Sequence, residues 1–156
     1  MIQQSPAALD RPDNVPGRWH RRAVAMVLLG GSLGVLIVAA SLDPHPAGLG
    51  THTRLGLPPC GMVRYLGSPC MTCGMTTAFA HAADGNLLAS FRTQPAGALL
   101  SILTAAAALI SGYAVIVGVS LVPLAQRVLR PRWIWIIGLI VLLSWGYKIL
   151  LFKGMF

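Results

Sequence analysis

The chain has 156 residues, of which 55% are hydrophobic and only 10% charged. A soluble domain carries about 25% charged residues, so the composition argues against an ordinary soluble enzyme and places the chain in the membrane class. The net charge of +8 comes from Arg residues at the ends of apolar runs, with no basic helix interleaved with aromatics, which argues against nucleic-acid binding.

Residues 1–17, rich in Pro, Gln and Asp, read as disordered; with the Arg residues that follow, 1–22 are expected to form a disordered basic N-terminal tail. The first apolar run, Ala23–Leu42, is uncharged and matches the roughly 20 residues needed to cross a bilayer. Gly30, Gly31 and Gly34 within it suit close helix packing in lipid. Arg21-Arg22 ahead of it and Val38-Ala39-Ala40 at its end leave a signal peptide as the alternative, although the run is long for one.

The second apolar run starts at Pro95, a residue suited to a helix's first turn, and reaches Ala125. A span over 95–122 is expected, with Pro123 marking its far end. The third, over 133–152, is broken only by Lys148, which near a helix end is expected to snorkel to the headgroups. Trp133, Trp135, Trp145 and Tyr147 lie towards its two ends, as interfacial aromatics do. No span holds an acidic residue, which argues against ion-coupled transport.

Arg11, Arg18, Arg21 and Arg22 share a side with Arg127, Arg130 and Arg132 if there are three spans. They outnumber Arg54, Arg64, Arg92, Lys148 and Lys153 opposite. The bias predicts a cytoplasmic N-terminus and a Cys loop outside the cytoplasmic membrane.

That loop, residues 43–94, carries the chemistry. Its start is turn-rich, with Asp43-Pro44 and several Gly. Thr72–Ala83 is helix-forming, Asp84-Gly85-Asn86 breaks it, and Asn86 can cap a second helix over Leu87–Phe91. Two short interfacial or re-entrant helices are expected. Gln94 is expected to cap the second span, and Ser101, Thr104 and Ser111 to back-bond within it. Arg54, Arg64 and Arg92 are expected at lipid phosphate, or paired with Asp84.

Cys70 and Cys73 form a C-x-x-C step, with Cys60 ten residues earlier. In a helix starting near Cys70 or Thr72, Cys73, Thr77 and His81 share a face. The helix N-terminus would lower a thiol pKa there, making Cys70 and Cys73 candidate catalytic thiols. A structural disulfide somewhere among Cys60, Cys70 and Cys73 is the other reading if the loop is external. Cys60, Cys70 and Cys73 with His81 or His52 also make a ligand set acceptable to zinc; no other cofactor is implied.

Asp43-Pro44, Gly48–Cys60 and Gly67-Ser68-Pro69-Cys70-Met71-Thr72-Cys73-Gly74-Met75-Thr76-Thr77-Ala78-Phe79 together resemble the bacterial membrane-protein family called domain of unknown function 2752. Its members are similar around a C-P-x-C-G-x-T-R/T-A core followed by a short helix, a Q/N-P step and a long span. Gly74, Thr76, Gln94 and Pro95 match that pattern, Pro69 and Thr77 belong to the quoted motif, and the resemblance covers roughly residues 41–110. Met71 stands where Pro is usual, and Thr77 where many members carry Arg. The resemblance implies a membrane location with the Cys loop as focal site, and no reaction.

The expected protein is thus an all-α integral membrane protein with three transmembrane helices and one membrane domain over 23–156. The first functional expectation is a non-catalytic membrane component with a structural or partner-binding Cys loop, in contact with the bilayer and a membrane-protein partner or a second copy. A thiol-disulfide oxidoreductase and a metal-binding membrane protein are the alternatives.

Overall fold

A computed structural model describes residues 17–45, 48, 50–128 and 130–154. Among the described residues every regular element is helical. Three helices are long and apolar enough to cross a membrane: α1 (Arg18–Ala40), α5 (Pro95–Val117) and α7 (Pro131–Gly154). At about 1.5 Å per residue each runs roughly 35 Å, against a hydrocarbon core of about 30 Å. Between α1 and α5 lie a 3-10 turn (Thr51–Leu55), α2 (Gly61–Leu66), α3 (Met75–Ala83) and α4 (Leu87–Thr93); α6 (Val122–Val128) precedes α7.

Two boundaries differ from the sequence expectation. Helix α1 starts at Arg18, inside the segment expected to be disordered, because no breaker separates Gly17 from the apolar run. The earlier part of that tail, residues 1–16, lies outside the described residues. Helix α5 stops at Val117, well before Pro123. Gly118 turns left-handed there (φ 79°) and its N–H closes on Ala114 O at 2.8 Å. Pro123 falls instead in the first turn of α6, where its missing N–H costs nothing.

Helices α1 and α5 run antiparallel, with Arg22 beside Gly118 and Leu29 beside Gly112. The seam is built of small residues. Ala25 and Ala39, roughly four turns apart, are buried on α1, and Ala98, Ser101, Ala108, Ser111 and Ala114 on α5. Gly30, Gly31 and Gly34 take no part in this seam: a Cβ at any of them would meet nothing within 4 Å. Their face points away from α5. Ser101 and Thr104 back-bond to Ala98 O and Leu100 O, both at 2.8 Å, as expected. Large aliphatic side chains, among them Val27, Ile37, Leu109, Ile116 and Leu150, are exposed, an outward apolar surface suited to hydrocarbon as solvent.

The short helices form a layer at one end of this pair. Asn86 accepts the Ala89 N–H at 3.1 Å and caps α4, as expected. Ser90 Oγ donates to Ala78 O at 2.6 Å and ties α4 to α3. Helix α3 packs on the start of α5, where Gly97 permits the approach: a Cβ there would lie 3.0 Å from Ala78 Cβ. The C-terminal half of α7 closes the layer. Ser144 Oγ accepts the Ala96 N–H at 3.0 Å, one of the donors a helix start leaves unpaired. Tyr147 donates to Arg92 O at 3.2 Å. Helix α7 continues about 9 Å beyond Lys148, so the layer docks alongside the helix rather than past its end.

Candidate metal centre

The three cysteines reach one point from different local structures. Cys60 occupies the position before α2, with Arg64 N–H on its carbonyl at 3.1 Å. Cys70 and Cys73 lie in the turn ahead of α3, where Cys73 N–H bonds Cys70 O at 3.1 Å. Their three Sγ atoms lie within 4.8 Å of one another. Cys70 and Cys73 Sγ lie 3.3 Å apart, and Cys70 Sγ also lies 3.2 Å from Thr72 Oγ1. All three are free thiols.

The thiols are not equivalent. The Val63 amide of α2's first turn faces Cys60 Sγ without closing a full cap bond and, against the opposing effect of burial and with help from Cys73, Cys70 and the Met62 amide, brings its pKa from 9.0 to about 7. Burial, reinforced by Cys60 and Cys70, pushes Cys73 up to about 12. This reverses the sequence expectation for Cys73. Helix α3 begins at Met75, and Gly74 turns left-handed (φ 87°) ahead of it, so Cys73 precedes the helix and is buried beside two other sulfurs. Desolvation then outweighs any help from the helix N-terminus.

Gly74 is fixed by crowding as well as conformation. A Cβ there would lie 2.9 Å from Gly48 O and 3.0 Å from Lys148 Nζ. Lys148 does not snorkel. It is buried, about 5% exposed, and its ammonium donates to Gly48 O at 3.1 Å and Thr93 O at 3.0 Å. Carbonyls of the loop and of the α4–α5 junction hold it inward because α7 passes beside the layer. An ionisable residue interrupting a span, which faces the protein interior by default, was the available signal for this role. Trp145 acts similarly, donating Nε1–H to Pro69 O at 3.0 Å next to Cys70.

Gln94 does more than end a helix. Its side chain makes no cap bond; it is buried and donates Nε2–H to Met71 O at 3.1 Å, within the C-x-x-C turn. Thr77 is buried and shares a 2.8 Å hydrogen bond with Thr51 Oγ1, which also accepts His45 N–H at 3.1 Å. These bonds seat the 3-10 turn on α3. Of the sequence-nominated ligands, Cys60, Cys70 and Cys73 converge, while His81, half-buried on α3, is not part of the sulfur group. Arg54 pairs with Asp43 at 2.8 Å, not with Asp84; both are well exposed, so the pair adds little.

Two clefts open on the sulfurs. The larger, about 530 Å³, is walled by Val35, Val38 and Leu42 of the first span and its end, and reaches all three cysteines. The smaller, about 300 Å³, lies between Gly50, Pro59 and Arg64. Cys60, Cys73 and His52 line both.

Residues 60–108 match the family model described as "Protein of unknown function (DUF2752)". The match runs from Cys60 through the C-x-x-C turn, α3 and α4 into α5, and agrees with the family resemblance over that stretch. No curated protein and no solved structure matches the chain.

Proposed function

We propose that this small membrane protein is a non-catalytic membrane component whose loop is clasped by a soft metal ion, with zinc the best candidate. The observation that carries the reading is the convergence of Cys60, Cys70 and Cys73 within 4.8 Å from two separate segments. Zinc–sulfur bonds of about 2.3 Å in a tetrahedron put sulfurs about 3.8 Å apart, close to the spacing here. Charge supports a divalent ion. Three thiolates and a divalent cation sum to one negative charge, and the buried Lys148 ammonium lies beside Gly74, the residue after Cys73. Metal ligation also gives Cys73 a reason to ionise where burial opposes it, since a coordinating thiol gives up its proton to the metal.

The clasp joins α2 to the turn ahead of α3, at one end of the α1–α5 pair and alongside α7. It would fix the surface that the layer offers to a membrane partner. The basic residues ahead of α1 and between α5 and α7 favour a cytoplasmic N-terminus and an external loop in the cytoplasmic membrane. The test is elemental analysis of the full chain purified in detergent without added metal. Near-stoichiometric zinc, lost in Cys60→Ser and Cys73→Ser, supports the reading; folded, metal-free wild-type protein refutes it.

A second reading rests on the 3.3 Å separation of Cys70 and Cys73. That approach suits a dithiol that closes to a disulfide, with Cys60 as the reactive third thiol. Thiol exchange that survives metal removal and disappears in Cys70→Ser would favour it.

A further inference from the structure

Three thiolates leave one tetrahedral position open, and the identity of the fourth ligand decides what the site can do. Structural zinc sites are closed by a fourth protein ligand, whereas catalytic sites leave that position to water or substrate. We infer that His52 is the fourth ligand and closes the site as Cys3His; this rests on the metal reading above.

The argument is positional. His52 is the one residue besides Cys60 and Cys73 that lines both clefts around the sulfurs. It therefore borders the same open space as Cys60 and Cys73 in each cleft. Its own atoms lie outside the 4.8 Å group, so side-chain rotation has to bring the ring in. The backbone that carries it is well placed for this. The 3-10 turn is flanked by left-handed Gly50 (φ 86°) and Gly56 (φ 76°). It is held to α3 by the Thr51–Thr77 bond, one residue before His52. His81 lines neither cleft.

A neutral imidazole adds no charge, so the balance between the site and Lys148 is unchanged by the fourth bond. The clasp then links three segments: the 3-10 turn, the start of α2 and the turn before α3. A Cys3His site has no exchangeable position for substrate, in keeping with a structural role.

The test uses the full chain in detergent with its zinc exchanged for cobalt(II), whose visible spectrum reports ligand number and type. Wild-type protein is expected to give tetrahedral d–d bands and thiolate-to-cobalt charge transfer. His52→Ala is expected to shift the d–d bands and weaken cobalt binding by at least about tenfold, while His81→Ala leaves both unchanged. His52→Cys, which keeps a ligand there, is expected to bind cobalt with charge-transfer intensity raised by roughly a third, as a fourth thiolate adds to three. A wild-type spectrum in His52→Ala, or no added intensity in His52→Cys, overturns the assignment and leaves the three-thiolate site standing. Failure of wild-type protein to bind cobalt with its thiols reduced overturns both.

Discussion

The Lys148 ammonium donates to the Gly48 carbonyl at 3.1 Å across a separation of 100 residues. One bond thus joins the third span to the loop that follows the first. Its second bond, to Thr93 O at 3.0 Å, brings in the end of α4, just ahead of the second span. The same ammonium lies 3.0 Å from where a Gly74 Cβ would be, next to Cys73 in sequence. Lys148 is therefore a clamp and, in the metal reading, the positive charge set against the thiolates.

That pairing makes Lys148→Met informative. The methionine keeps the length and apolar bulk but removes the charge and both hydrogen bonds. Zinc affinity is expected to fall about ten- to hundredfold, the usual effect of losing an outer group that supports a metal site. Chelator competition measures it. Lys148→Arg is not expected to restore affinity, because the wider planar guanidinium does not fit the space beside Gly74. Unchanged affinity in Lys148→Met would count against the electrostatic coupling.

Glycine positions in this chain differ in what they tolerate. Gly74→Ala forces a left-handed residue with a Cβ 2.9 Å from Gly48 O. The conformation alone costs roughly 1–2 kcal/mol, and the contact adds to it. Gly30→Ala meets open space and is expected within about 0.5 kcal/mol of wild type. Thermal unfolding in one detergent compares them; equal midpoints would contradict the packing described at Gly74.

The thiols are expected to react in a set order once metal is removed. Cys60, at about 7, should alkylate with a rate that rises through neutral pH and levels off above it, as its thiolate fills. Cys73, pushed up to about 12, should stay almost unreactive until far more alkaline pH. Mass-resolved iodoacetamide labelling across pH reads both. Preferential labelling of Cys73 near neutrality would contradict the environments described.

Thr51 and Thr77 make a buried pair at 2.8 Å. Thr51→Val leaves a buried hydroxyl on Thr77 without this partner, at a cost of about 1–3 kcal/mol. The double variant Thr51→Val/Thr77→Val removes the mismatch and is expected to recover part of the loss. A fully additive double-mutant cycle would contradict the bond.

The spans were legible because length and hydropathy alone define them. Asn86 was legible as a cap because capping depends on local sequence. The seam was not: Gly30, Gly31 and Gly34 looked like packing residues, and only the rotation of α1 about its axis puts Ala25 and Ala39 inward instead. Cys60, Cys70 and Cys73 could be nominated as a group, but the start of α3 at Met75 decided which thiol is activated. Lys148, Trp145 and Gln94 meet the loop across distant sequence, from 23 residues for Gln94 to Met71 up to 100 for Lys148 to Gly48, and no local pattern encodes such contacts. The span's interruption by Lys148 was the one hint.

The most direct measurement is X-ray absorption at the zinc edge on the purified full chain. Three sulfur scatterers at about 2.3 Å and one nitrogen at about 2.0 Å are expected. Zinc surrounded only by oxygen and nitrogen, or no bound zinc in folded protein, would contradict a thiolate clasp in this membrane loop.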